Sequence, residues 1–133
     1  MSGADPSDLL ALPLFDSLTE PERAEVAAWF EVREVDAGVK LVGEGATGHS
    51  FFVLSEGEVT VTAGGDAIAT LEAGDYFGEV ALLGELRRTA TVTTTKPSRL
   101  LVLFGTDFTR LRTRYPAIAA ELEAMMERRL GRV

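Results

Sequence analysis

The sequence predicts a mainly β fold, a jelly-roll-like β-barrel flanked by helices. Residues 31–104 contain short runs of β-type residues punctuated by glycines, and segments with helical periodicity lie on either side of them. Short strands at such regular spacing are typical of antiparallel barrels and sandwiches. Because no long helical segment separates the runs, a parallel α/β sheet is disfavoured.

The N-terminal part predicts a helix over about residues 20–29. Thr19 followed by Glu22 fits a capping box, and apolar residues then recur at helical spacing. Before this helix, an apolar cluster over residues 9–15 is interrupted by Pro13. We expect this cluster to form a short helix or turn packed on the body of the fold.

Seven runs are predicted to be the barrel strands: Val32–Val35, Val39–Val42, Phe51–Ser55, Val59–Thr62, Ala67–Leu71, Ala90–Thr94 and Arg99–Phe104. Between the fourth and fifth runs, Gly64-Gly65-Asp66 predicts a tight hairpin turn.

Helical periodicity returns after Gly105. Thr106 is a candidate N-cap for one helix, and Pro116 fits the first position of a second. The second helix has apolar residues along one face: Ile118, Leu122, Met125, Met126 and Leu130. We therefore predict a single domain over 1–133, helical over 1–30, a β-barrel over 31–104, and helical again over 105–133.

The composition excludes several function classes. The formal charge is −8, which disfavours binding to nucleic acid, and no apolar run approaches the roughly 20 residues of a membrane-spanning helix. There is no cysteine and a single histidine, His49, so no thiol nucleophile, metal site or catalytic triad is predicted. We expect a cytoplasmic protein that is not an enzyme and needs no cofactor.

One glycine motif is misleading. Residues 43–48 match the G-x-G-x-x-G dinucleotide fingerprint. That fingerprint requires a helix directly after the glycines, whereas the following residues, 49–55, are predicted to form a strand. The motif is therefore interpreted as a glycine-rich turn of the barrel.

The most informative stretch is FGEVALLGELRRTATV, residues 77–92. It predicts a short helix over residues 79–83 bounded by glycines, followed by Arg87 and Arg88. Free amides at a helix N-terminus together with an arginine favour a phosphate, and a nearby carboxylate can accept hydrogen bonds from a sugar hydroxyl. The residues alone are equally consistent with a tight turn carrying surface arginines.

This stretch resembles the phosphate-binding cassette of cyclic nucleotide-binding domains, which occur in catabolite-activator-type regulators, cyclic-nucleotide-dependent kinases and cyclic-nucleotide-gated channels. The resemblance extends over almost the whole chain, including residues 13–15, residues 43–45, Gly57, residues 74–75 and the two closing helices. It implies a regulatory domain that binds a 3′,5′-cyclic nucleotide, with cyclic AMP favoured and cyclic GMP possible.

The resemblance also implies roles for individual residues. Glu79 would bond the ribose 2′-hydroxyl, Arg88 would pair with the cyclic phosphate, and the hydroxyl of Thr89 would contact phosphate or guanine. The remaining implied ligand-binding residues are Gly78, Val80, Ala81 and Ala90 in the cassette, Val61 and Ala69 beside the base, and Arg129 and Leu130 in the closing helix. Many relatives have proline where this chain has Arg87, so Arg87 is a second candidate for the phosphate.

The resemblance further implies that the closing helix is a lid that covers the base and transmits occupancy. An effector domain in the same or a partner chain would receive the signal. Separately, the apolar face of the last helix would suit a partner, which allows a homodimer. The alternative is that the barrel serves as a protein-interaction module without nucleotide.

Overall fold

The N-terminal region forms three short helical elements. The structure, a computed structural model, describes residues 4–10, 12–43, 50–78 and 90–130. Helix α1 spans Pro6–Leu10, a 3₁₀ helix spans Pro13–Phe15, and α2 spans Glu20–Trp29. The predicted capping box is confirmed, because the Thr19 hydroxyl accepts from the Glu22 amide at 3.3 Å and the Glu22 carboxylate accepts from the Thr19 amide at 2.8 Å.

Eight strands are present in the described part of the chain: β1 Glu31–Val35, β2 Lys40–Val42, β3 Ser50–Glu56, β4 Glu58–Ala63, β5 Asp66–Glu72, β6 Tyr76–Phe77, β7 Thr91–Thr94 and β8 Ser98–Phe104. They form two antiparallel four-stranded sheets, with orders β1-β8-β3-β6 and β2-β7-β4-β5. The predicted mainly β fold is therefore confirmed. The seven predicted runs match seven of these strands, whereas β6 was not predicted.

Two turns depend on glycine. The predicted hairpin forms at Gly64 and Gly65, whose φ angles are +59° and +86°, and Ala63 pairs with Asp66 across it. Both glycines therefore adopt the left-handed conformation that a two-residue hairpin requires. Gly57, with φ +106°, is the whole connection between β3 and β4 and carries the chain from one sheet to the other.

Two helices follow the barrel, α3 over Gly105–Arg114 and α4 over Pro116–Leu130. Pro116 begins the second helix as predicted. The expectation that Thr106 caps α3 is wrong, because the N-cap is Phe104, two residues earlier, and Phe104 makes no side-chain cap bond. The chain passes directly from β8 into the helix, which leaves no residue between them for a polar cap. No described helix is long and apolar enough to cross a membrane.

The sheet that contains β3 and β8 separates two apolar cores, because successive side chains of a strand point to opposite faces. The helix-side core lies between this sheet and the helices, and its buried residues are Leu9, Leu12, Phe15, Leu18, Val26, Ala27, Phe30, Phe51, Val53, Tyr76, Leu101, Leu103, Phe108, Leu111, Tyr115, Ile118 and Leu122. The inner core lies between the two sheets, and its buried residues are Phe52, Leu54, Val59, Phe77, Val92, Leu100 and Val102.

The strand register divides the barrel into two ends. At the end that we call the acidic end, the connections are residues 36–39, Gly57, residues 73–75 and residues 95–97. At the opposite end, the cassette end, the chain makes the connections 43–49, 64–65 and 78–90. The candidate cassette therefore begins and ends at the cassette end.

Candidate functional site

The inner face of the second sheet places the two candidate base-contacting residues side by side. Val61 on β4 pairs with Ala69 on β5, and Val61 also pairs with Val92 on β7. Val61 and Ala69 are partly buried, and Val61 packs against the inner core. The fold thus brings together two residues that the sequence separates, on an apolar surface suited to the face of a nucleobase.

The entrance to the candidate cassette is held in place by aromatic stacking. Phe77, directly before Gly78, pairs with Phe52 on β3, and their rings stack with centroids 4.9 Å apart and an angle of 8° between planes. Gly78 has a φ of +98°, which favours glycine, and is partly buried. The direction in which the chain leaves β6 is therefore set by a glycine directly after an anchored ring.

The other end of the candidate cassette lies at Ala90, just before β7. Ala90 is partly buried, and the next residue, Thr91, pairs with Thr62 on β4. Strand β7 therefore begins beside β4, the strand that carries Val61. Gly78 and Ala90 thus both lie at the cassette end, and the apolar Val61–Ala69 pair lies on the inner face of the neighbouring strands.

Several predicted site residues lie outside the described residues. They are Glu79, Val80, Ala81, Arg88 and Thr89, together with the alternative phosphate residue Arg87. The same holds for the helix predicted over 79–83 and for His49. Their roles stay predictions.

The closing helix α4 reaches the predicted lid residues. Arg129 and Leu130 belong to α4, but their side chains lie outside the described part. Nearer its start, α4 packs into the helix-side core through Ile118 and Leu122, which are 1% and 0% exposed, and it contacts α3 and the 3₁₀ helix. The start of the predicted lid is thus fixed to the helices.

An ion pair joins the two closing helices. Arg112 of α3 donates to Glu123 of α4 at 3.3 Å, across the break at Tyr115 and Pro116. Both side chains are substantially exposed, so this pair contributes little to stability.

The acidic end contains a hollow of about 250 Å³ that does not suit a phosphate. Its charged lining residues are Glu34, Asp36, Glu56 and Arg99, so three acidic residues and one basic residue line it. That guanidinium is already engaged, because Arg99 donates to Asp8 at 2.7 and 3.3 Å and to Ser55 at 3.1 Å. An anionic ligand is therefore disfavoured at this end.

The Asp8–Arg99 pair is the clearest electrostatic feature of the described residues that sequence reasoning missed. The hydrogen bond from Arg99, more than the Coulomb attraction, holds the pKa of the Asp8 carboxyl below its usual value. The hydrogen bond to Asp8 likewise raises the pKa of Arg99. The two residues are 91 positions apart, so no local sequence pattern could have indicated the pair.

A family model for the cyclic nucleotide-binding domain matches residues 32–115. The chain belongs to this family. The match includes the whole barrel from Val32 onward, the candidate cassette and α3. The resemblance inferred from the cassette residues is thereby confirmed, and this domain type is a regulatory one.

Known relatives agree with this membership. A cAMP-dependent protein kinase regulatory subunit from Eremothecium gossypii is 39% identical over 104 residues, which cover 77% of this chain and 23% of the relative. This chain spans only 23% to 30% of the length of the first curated relatives it matches.

Solved structures share the fold. The regulatory domain of Toxoplasma gondii PKA, crystallised with cAMP, has a TM-score of 0.82 at 26% identity, covering 92% of this chain and 48% of that one. The regulatory subunit of a cAMP-independent protein kinase A from Trypanosoma brucei has a TM-score of 0.83 at 18% identity, covering 91% of this chain and 44% of that one. At that identity, the second likeness shows the fold alone.

Proposed function

We propose that this chain binds 3′,5′-cyclic AMP at the cassette end of the barrel and regulates an effector through its closing helix. The observation that carries the proposal is the family match across residues 32–115, which includes Gly78, Glu79, Arg88 and Thr89 at cassette spacing. The described geometry supports it, because Val61, Ala69, Gly78 and Ala90 are small residues suited to a ligand that approaches the backbone closely.

Each part of the nucleotide has a proposed partner. Arg88 pairs with the cyclic phosphate, Glu79 accepts from the ribose hydroxyl, and Thr89 bonds the phosphate. Val80 and Ala81 present backbone to the ribose phosphate beside Gly78. The apolar surface at Val61 and Ala69 takes one face of the base. Charge-assisted hydrogen bonds contribute about 1.5 to 3 kcal/mol each, so a few of them supply much of the roughly −8 kcal/mol of a micromolar site.

The closing helix is the proposed switch. Arg129 and Leu130 would cover the base, while Ile118 and Leu122 keep the start of α4 in the helix-side core. A ligand shifts a conformational equilibrium only through contacts that differ between the two states, and the end of α4 would supply them. We propose that 1–133 acts as one domain, which the shared helix-side core supports, and that an effector domain in the same or a partner chain receives the signal.

Calorimetry with cyclic AMP and cyclic GMP tests the proposal. We expect binding by the wild type, tighter for cyclic AMP, and an affinity about 10- to 100-fold lower in Arg88→Ala, because one charge-assisted pair is lost. The adjacent Arg87→Ala is the matched control and should retain the wild-type affinity. If neither nucleotide gives a heat of binding at high concentration, the proposal is wrong. A large loss of affinity in Arg87→Ala alone would show that Arg87, not Arg88, pairs with the phosphate.

A protein-interaction module without nucleotide is the second candidate. It is the alternative that the sequence leaves open. This candidate predicts no rise in melting temperature with either nucleotide, whereas a ligand that binds the folded state raises it.

A further inference from the structure

Strand β6 is only two residues long, yet it reaches both apolar cores immediately before the candidate cassette. Its Phe77 lies in the inner core and its Tyr76 in the helix-side core. Tyr76 pairs with Val53 in the β3 ladder. Because Gly78 directly follows β6, a displacement of the cassette entrance would move the Tyr76 ring within the helix-side core.

A continuous row of rings leads from Tyr76 to the helix after the barrel. The Tyr76 and Phe51 centroids are 5.5 Å apart at an angle of 50°, and those of Phe51 and Phe108 are 5.1 Å apart at 42°. The three side chains are 7%, 0% and 1% exposed. Phe108 belongs to α3, which continues through Tyr115 and Pro116 into α4.

Helix α3 is fastened to α2 by charged contacts around Trp29. The Arg110 guanidinium lies 4.2 Å from the centroid of the Trp29 ring, and that of Arg114 lies 5.9 Å from it. Arg114 also forms an ion pair with Glu25 of α2. Trp29 is the single tryptophan of the chain, so its fluorescence reports on the contact between α2 and α3.

We propose that Tyr76, Phe51 and Phe108 form an aromatic relay through which nucleotide binding at the cassette end moves α3 and, with it, the contact at Trp29. The proposal rests on the proposed function and extends it, because the signal reaches the N-terminal helix α2 as well as the closing helix. A close-packed interior leaves little free space to absorb a ring displacement, so each ring passes it to the next.

The first test compares binding with the response of Trp29. Cyclic AMP is titrated into the wild type and Phe108→Leu, with binding measured by calorimetry and the response by tryptophan fluorescence. In the wild type, the Trp29 emission should change with the same midpoint as the calorimetric heat of binding. Phe108→Leu should still bind, with a similar heat of binding, but should lose most of the emission change. Undiminished emission change in Phe108→Leu at saturation would overturn the relay.

Phe52→Leu is the matched control for this experiment. This substitution removes a phenyl ring, as Phe108→Leu does. Phe52, however, contacts Phe77 in the inner core, on the opposite face of β3 from the relay. At saturating nucleotide it should show the full Trp29 response, even where its affinity is lower. A response lost as completely in Phe52→Leu as in Phe108→Leu would show that the loss is not specific to the relay.

A second test needs no nucleotide. Hydrogen exchange of the α3 amides is compared in Tyr76→Leu and Val53→Ala, with the Thr60 amide of β4, in the other sheet, as the internal reference for global stability. Val53 neighbours Tyr76 in the same core but contributes no ring. We expect faster α3 exchange, relative to Thr60, in Tyr76→Leu only. Equal acceleration in both variants would overturn the relay, whereas absent calorimetric heat in the wild type would overturn the proposed function.

Discussion

The two ends of the barrel are built differently. At the acidic end, the strands are joined by connections of one to four residues, and polar side chains hold these connections to the sheets. At the cassette end, the chain makes two long connections, 43–49 and 78–90, and the described residues beside them are small or apolar. The difference is in keeping with the proposed function, in which the acidic end closes the barrel and the cassette end binds the ligand.

This separation has an energetic consequence. Residues at the acidic end contact one another through short hydrogen bonds, so their replacement should lower the free energy of unfolding while leaving nucleotide affinity unchanged. Replacement of Arg88 in the candidate cassette should instead lower nucleotide affinity while changing the free energy of unfolding little. Variants at the acidic end therefore test whether the two roles are separate.

Gly57→Ala should have the largest effect on stability. A Cβ at this position would lie 2.2 Å from the Ser98 Oγ and 2.7 Å from the Ser98 Cα, and the φ of +106° is strained for alanine. Strain and overpacking together should lower the free energy of unfolding by about 3 to 5 kcal/mol, measured by urea denaturation.

Gly38→Ala is the matched control. Its φ is +83°, but no atom of the described residues lies within 4 Å of an added Cβ, so only the backbone strain of about 1 to 2 kcal/mol applies. An equal loss of unfolding free energy in Gly57→Ala and Gly38→Ala would show that the contact with Ser98 does not contribute to the cost of Gly57→Ala.

Thr94→Val should have an intermediate effect. The buried Thr94 hydroxyl donates to the Asp36 carbonyl at 2.7 Å and accepts from the Val39 amide at 2.8 Å, which fixes the β1–β2 connection. Valine leaves both groups without this partner, which should cost about 1 to 3 kcal/mol in thermal or urea denaturation. Thr93→Val, at the neighbouring partly buried position, should change stability by less than about 0.5 kcal/mol. Nucleotide affinity should be unchanged in both variants. A large loss of nucleotide affinity in Thr94→Val would show that the two ends are coupled.

Asp8→Asn should lower the free energy of unfolding less than Gly57→Ala or Thr94→Val does. The expected loss is about 1 to 2 kcal/mol at neutral pH, because the Asp8–Arg99 pair is only partly buried. The pKa of Asp8 is lower in the folded protein than its usual value. Its contribution is therefore fully present above the ordinary aspartate pKa of about 3.9 and is lost as the pH falls through the lower pKa of the folded state. Urea denaturation across acidic pH should thus show the stabilities of wild type and variant converging, and a constant difference would contradict the assignment.

Much of the fold could be predicted from the sequence, because local chemistry determines it. The capping box at Thr19, the Gly64-Gly65 hairpin and the start of α4 at Pro116 each depend on residues close together in the chain. Strand β6 was missed because two residues show no periodicity. The Thr106 cap was wrong because the sequence does not show that β8 passes directly into α3.

Less of the candidate site than of the fold could be predicted from the sequence. The family could be identified from the cassette motif, since its residues are contiguous. The pairing of Val61 with Ala69 could be expected only from the resemblance, because it depends on the register of β4 and β5. The contacts of Asp8 with Arg99 and of Phe51 with Phe108 join distant residues through tertiary packing, and no spacing in the sequence indicates them.

In the proposed function, the cassette end binds a cyclic nucleotide. The most direct test is the change in backbone amide chemical shifts of the whole chain when cyclic AMP is added. We expect the largest changes at Val61, Ala69, Gly78 and Ala90, with little change at Gly57 in the acidic end. Saturating cyclic AMP that leaves the cassette-end amides unchanged, or shifts mainly the acidic end, would contradict it.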